Sequence, residues 1–147
     1  MKNVLFICVH NSARSQMAAA LLNRECPEEF HAESAGLEPG TLNPIVVESL
    51  QEIGIDISQN EPRAVCDVFK SNAKIFTYVV TVCSEAEAEG CPIFPGPATR
   101  LHWPFDDPSK FTGKHAERLR RTGEVREKIQ ARVKEFCAAQ CALGANV

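Results

Sequence analysis

Cys8 stands six residues before Arg14, in the run Cys8-Val9-His10-Asn11-Ser12-Ala13-Arg14-Ser15. A thiol, a guanidinium and a hydroxyl at that spacing can make an anion site with a nucleophile at its base. Only a thiolate attacks well, and a free cysteine is about 3% thiolate at pH 7, so a nucleophile here requires donors around its sulfur. Backbone N–H groups of residues 9–15 can converge on one point if the loop curls into a nest, and a helix starting there adds its N-terminus. The Ser15 hydroxyl can donate to the sulfur. The planar fork of Arg14 can hold two oxygens of an anion, which lysine does less well. Asn11 tolerates a left-handed backbone, and its side chain can brace the loop. A tetrahedral oxyanion such as phosphate or arsenate fits such a loop. The plain alternative, a buried strand-end cysteine with an unrelated surface arginine, leaves the coincidence of thiol, Arg-Ser and strand-to-helix context unexplained. No Walker lysine follows, which excludes a nucleotide P-loop on residue grounds.

The elements that must position these residues alternate strand and helix signals, the pattern of a parallel sheet covered on both faces. Lys2 to Cys8 is short and apolar, as a buried parallel strand should be. Ser15 to Cys26 reads as a helix stopped by Pro27, and Phe30 to Ala35 as a second strand ended by Gly36. Asn43-Pro44 predicts an N-cap with proline at the first helical position, opening a helix to Ile53 that stops at Gly54. A short helix is expected around Pro62 to Lys70, a third strand over Ile75 to Val82 and a fourth over Ala98 to His102, inside a loop-rich stretch from Pro92 to Lys114. The last helix, His115 to Cys141, puts Leu119, Val125, Ile129, Val133 and Phe136 on one stripe, with Gly123 as a candidate break. The expected fold is α/β: a single domain over residues 1–147, a three-layer sandwich around a four-stranded parallel sheet, with the anion loop after the first strand.

The totals agree with one such domain: 147 residues, 44% hydrophobic and 24% charged. A net charge of −3 leaves no basic footprint for nucleic acid, so an anion site must be built locally. The apolar run Val4 to Val9 is too short for a signal-peptide core, and no stretch is long enough to span a membrane. A cytoplasmic, monomeric protein is expected. Its seven cysteines are odd in number and contain no C-x-x-C pair, so neither complete internal pairing nor a zinc ribbon fits, and no metal site is expected. Cys83 and Cys91 follow the third strand. Cys26 and Cys66 read as structural, and Cys137 and Cys141, one helical turn apart, as packing or an exposed tail.

The chain resembles the low-molecular-weight protein tyrosine phosphatase fold family, whose signature is Cys-x5-Arg-Ser/Thr. Within that family it is similar to arsenate reductases of the thioredoxin-coupled type. The likeness includes Asn11-Ser12, Arg14-Ser15-Gln16-Met17-Ala18, Ser34-Ala35-Gly36, Gly54-Ile55-Asp56-Ile57-Ser58, Cys83, Cys91-Pro92, His102-Trp103 and Asp106-Asp107-Pro108. The resemblance implies Cys8 as nucleophile and Arg14 as oxyanion clamp. Ser15 would help activate the thiol, Asn11 and Ser34 would brace the loop, and Asp107 would be the general acid. Val9, His10, Asn11, Ser12, Ala13, Arg14 and Ser15 would bind the substrate, and Cys83 and Cys91 would be relay thiols. The chain departs from the family with His10 where glycine is common and Ala13 where many members have cysteine. Ala19 replaces a glutamate that contributes to a potassium site in some reductases, so no bound potassium is expected.

The resemblance implies arsenic detoxification: reduction of arsenate to arsenite through a Cys8 adduct and Cys8–Cys83 and Cys83–Cys91 disulfides. No cofactor is implied, only an external dithiol such as thioredoxin. If 84–90 is helical, Cys83 and Cys91 are about 12 Å apart, beyond the ~7 Å of a disulfide, so that segment is expected to unwind on oxidation. The alternatives are a phosphatase acting on small phosphoesters or phosphotyrosine, and a non-catalytic redox or oxyanion sensor. Against a tyrosine phosphatase, Ser109 and Lys110 follow Asp107-Pro108 where an aromatic wall would be needed.

Overall fold

Val4, Leu5, Phe6 and Ile7 have no exposed surface, because the strand that carries them, β1 (Lys2–Cys8), is covered on both faces. The computed structural model describes residues 1–71, 76–84 and 97–145. In chain order β1 is followed by α1 (Arg14–Glu25), β2 (Phe30–Gly36), α2 (Pro44–Gln51) and α3 (Val65–Ser71). Then come β3 (Tyr78–Thr81), β4 (Thr99–His102), a 3-10 turn at Pro108–Lys110 and α4 (His115–Ala145). The four strands form one parallel sheet in the order β2-β1-β3-β4.

Alternation along β1 divides the core in two. Val4, Phe6 and Cys8 pack with Met17, Leu21 and Leu22 of α1, Val46 and Leu50 of α2, and Val125, Ile129, Val133 and Phe136 of α4. Leu5 and Ile7 pack on the other face with Val65 and Val68 of α3 and Val79 of β3. The three-layer α/β expectation holds. Trp103, just past β4, is buried with its ring 5.6 Å from Phe6 and 5.5 Å from Phe136, and the Arg132 guanidinium lies over it, so its role is packing.

Several boundaries differ from expectation for physical reasons. The third helix starts at Val65 rather than Pro62, after Gly36 N–H has bonded to the Arg63 carbonyl and so drawn 62–64 alongside β2. The third strand is limited to Tyr78–Thr81, the residues that pair with Val4 to Ile7. α4 runs unbroken through Gly123, the helix being held by its buried stripe rather than by propensity. Asn43 caps α2 as expected, its side chain accepting from Ile45 N–H with Pro44 in the first turn.

Two of the outlying cysteines differ from expectation. Cys26 and Cys137 form a disulfide with Cα atoms 6.2 Å apart, joining the end of α1 to α4. Neither is the isolated packing thiol the sequence suggests, because a separation of 111 residues hides the adjacency of the two helices. Closing so long a loop constrains the unfolded chain, and removing the link is expected to cost about 2–5 kcal/mol. Urea unfolding of the oxidised protein against Cys26→Ala/Cys137→Ala measures it, and coincident midpoints would contradict it. Cys66 is exposed on α3. Cys91, the segment 85–90 and the Cys141 side chain lie outside what is described.

Candidate active site

β1 delivers Cys8 to the carboxyl edge of the sheet, where open α/β sheets bind ligands. The chain then curls through residues 9–13 into α1. Main-chain tethers set the curl. Leu37 N–H donates to the Cys8 carbonyl, Glu38 to Val9, Gly40 to His10 and Asn43 to Ser12, at 2.8–3.2 Å. The Asn11 carbonyl accepts from Gln16 Nε2 at 3.1 Å. In a planar trans peptide the N–H points opposite to the C=O. Carbonyls drawn outward from Val9 to Ser12 therefore turn the N–H groups of His10 to Ala13 toward the concave side. α1 begins without a side-chain cap, and Met17 N–H donates to the Ala13 carbonyl at 3.0 Å. The first N–H groups of a helix have no intrahelical partner, so an α1 that starts here adds a helix N-terminus to the anion loop.

Asn11 makes the curl possible. Its φ is 54°, the positive value among the described non-glycine residues, and it is wholly buried. Its backbone N–H donates to Cys8 Sγ at 3.2 Å. Its Nδ2 donates to Ser15 Oγ at 2.8 Å, and Ser15 Oγ lies 2.8 Å from Cys8 Sγ. The sulfur, 3% exposed at residue level, thus meets a backbone amide and a hydroxyl.

Arg14 opens α1 and is buried. Its Nη1 donates to the Phe105 carbonyl at 3.2 Å, and its Nη2 lies 3.4 Å from Asp107 Oδ2. Asp107 Oδ1 accepts from Ser109 N–H at 3.0 Å, fixing the carboxylate at the start of the 3-10 turn. Asn43 Nδ2 reaches Ser109 Oγ at 3.0 Å, joining the Asp107 loop to the cap of α2. The structure therefore brings together Cys8, Asn11, Arg14, Ser15 and Asp107. Cys83 is buried two residues past β3, the strand adjacent to β1. His10 is an exposed rim residue whose Nδ1 meets the Glu38 carbonyl. Ser34 offers its main-chain carbonyl to Arg63. Among the described residues, no group of three or more His, Cys, Asp or Glu side chains is arranged to hold a metal ion.

Two supports were invisible in the sequence. One is Gly36, the last residue of β2. A Cβ there would lie 2.7 Å from Asn11 N, 2.8 Å from His10 C and 2.9 Å from Val9 O, all backbone atoms of the loop. Gly36→Ala is expected to push the loop out of register and lower kcat/KM by about 10²-fold, with some loss of Tm. An alanine variant of undiminished activity would contradict this. The other is the polar group behind Asn11, formed by Gln16, Asn60 and Arg63.

The pattern of a low molecular weight phosphotyrosine protein phosphatase matches residues 3–144. The chain belongs to that family. The arsenate reductase of Shouchella clausii is 40% identical over 135 residues, covering 92% of this chain and 94% of the relative. The structure of an arsenate reductase from Archaeoglobus fulgidus aligns with a TM-score of 0.71 at 33% identity, over 90% of this chain and 97% of that one. A thioredoxin-dependent arsenate reductase from Corynebacterium glutamicum aligns with a TM-score of 0.67 at 31% identity, over 95% of this chain and 60% of its own longer one. Membership explains the loop, which phosphoryl and arsenyl chemistry share, and leaves the choice of reaction to the residues around it.

Proposed function

We propose that the chain reduces arsenate to arsenite, with electrons from its own thiols and then from an external dithiol. The observation that carries this reading over hydrolysis is Cys83, buried two residues past β3, the strand next to the one that delivers Cys8. Strands of a sheet lie about 4.8 Å apart, so a modest shift brings the two sulfurs together. Hydrolysis of a Cys8 intermediate needs water and no second thiol, so in a phosphatase Cys83 would be incidental to the chemistry.

In the first step the Cys8 thiolate forms an S–As bond as an As–O bond breaks, and Asp107 gives its proton to the departing oxygen, which leaves as water. The amide donors of the loop and Arg14 hold the remaining oxygens. In the second, Cys83 as thiolate attacks the Cys8 sulfur. An S–S bond forms, the S–As electron pair passes to arsenic, As(V) becomes As(III), and arsenite leaves. In the third, Cys91 attacks Cys83 and the Cys8 thiolate departs. The Cys83–Cys91 disulfide then accepts two electrons from a dithiol by exchange. Thioredoxin is the proposed donor, supported by the similarity to the thioredoxin-dependent reductase of Corynebacterium glutamicum, and such a cycle suits a thiol-reducing compartment such as the cytoplasm.

The test is arsenate-dependent NADPH oxidation with thioredoxin and thioredoxin reductase. Steady turnover is expected from the wild-type chain and none from Cys83→Ser, which stops at the Cys8 adduct. Full turnover by Cys83→Ser overturns the relay. Hydrolysis of p-nitrophenyl phosphate without any arsenate turnover makes the chain a phosphatase.

A further inference from the structure

We propose that Gln16 and Asn60 are positioning residues for Cys8, the far links of a one-directional hydrogen-bond chain that ends on the nucleophilic sulfur. The proposal rests on the reading of Cys8 as nucleophile and adds residues that touch neither the sulfur nor the substrate.

One main-chain atom fixes the direction. Arg63 N–H lies 2.9 Å from the Asn11 side chain, and a backbone N–H only donates, so the atom it meets is Oδ1. Asn11 Nδ2 must then face Ser15 Oγ, 2.8 Å away. Gln16 meets both the Asn11 carbonyl at 3.1 Å and Asn11 Oδ1 at 3.2 Å. Both are acceptors, so Gln16 presents Nε2 there and turns Oε1 the other way. Oε1 lies 3.1 Å from the Asn60 amide, which must donate. Ser15 Oγ, already accepting from Asn11, has its own proton left for Cys8 Sγ at 2.8 Å. The order is Asn60 to Gln16 to Asn11 to Ser15 to Cys8, every link donating toward the sulfur.

Burial makes the arrangement consequential. Asn11 and Ser15 have no exposed surface and Gln16 only 3%, so water cannot replace a link that turns over. A single amide facing the wrong way would set oxygen against oxygen and leave Ser15 free to point its proton elsewhere. Asn60 is the exposed end of the chain, and its amide matches the Gln16 Oε1 orientation that the Asn11 acceptors require.

Second-order alkylation of Cys8 by iodoacetamide at pH 7, followed on the Cys8 peptide by mass spectrometry, tests the chain without reference to arsenate. Gln16→Met keeps the volume and removes both polar atoms. Asn60→Asp, at a surface position that need not disturb folding, presents oxygen to Gln16 Oε1. Each is expected to slow alkylation of Cys8 by about tenfold, and Asn60→Ala by less, since water can serve the exposed end. On a Ser15→Ala background, where the chain no longer reaches the sulfur, the same changes should cost nothing more. Wild-type alkylation in both Gln16→Met and Asn60→Asp overturns the proposal. So do losses that persist undiminished without the Ser15 hydroxyl, the result that general damage to the loop or the added charge of Asp would give. Arsenate turnover retained by Cys8→Ser refutes the nucleophile reading separately, because alkylation judges the chain by itself.

Discussion

Cys8→Ser is expected to abolish arsenate turnover, a loss of at least about 10⁴-fold. In the proposed cycle Cys8 both forms the bond to arsenic and supplies the first sulfur oxidised, so no other group can carry that cycle in part. Removing a nucleophile that acts as one unit with its activating groups costs nearly as much as removing them all. The substitution is close to isosteric, and the Ser15 and Asn11 donors that meet Sγ can meet a hydroxyl instead. Folding should therefore survive, and circular dichroism and the thermal midpoint check that it has. Coupled NADPH oxidation gives the activity. Residual turnover within tenfold of wild type would mean that another thiol attacks arsenate.

The second large effect is expected at Arg14. Lysine keeps the charge and removes the fork. Arg14 engages the Phe105 carbonyl through Nη1 and Asp107 through Nη2. An ammonium is a point donor that cannot span both while holding two substrate oxygens. Losing one preorganised donor to a developing oxyanion costs about 10²–10³-fold in kcat, and a displaced Asp107 adds to it. Arg14→Lys is thus expected to lower kcat by about 10²–10³-fold and to raise the KM for arsenate. Arg14 is buried, so a modest fall in thermal stability should accompany it. Steady-state kinetics over a range of arsenate concentrations separates the two parameters. An unchanged kcat would show that charge alone, without the fork, is enough.

How much of this was legible in the sequence follows from where each contact comes from. Cys8, Asn11, Arg14 and Ser15 lie within eight consecutive residues, and their side-chain chemistry names the loop before any fold is known. The parallel sheet was legible because β1 is apolar at five consecutive positions, Val4 to Cys8, which suits a strand covered on both faces. The tethers that turn the loop's carbonyls outward come from Leu37, Glu38, Gly40 and Asn43 through backbone N–H groups, which every residue except proline possesses and no sequence pattern advertises. Gly36 reads as a strand terminator, whereas its lack of a side chain makes room for residues 9–11. The links from Gln16 to Asn60 and from Asn11 to Arg63 span 44 and 52 residues and depend on how the chain returns past β2. The Cys26–Cys137 bond went unseen for the same reason. Asp107 was legible through the family pattern, but its hold on Arg14 and its tie through Ser109 to Asn43 belong to the folded chain alone.

The proposed source of the electrons that reach arsenic is the thiol pair of Cys8 and Cys83. It is tested most directly by treating fully reduced Cys91→Ser protein with one equivalent of arsenate, without external thiol, and mapping its disulfides by mass spectrometry while arsenite is counted. A Cys8–Cys83 disulfide formed in step with one arsenite per chain is expected. Arsenite produced while Cys8 and Cys83 remain free thiols would contradict it.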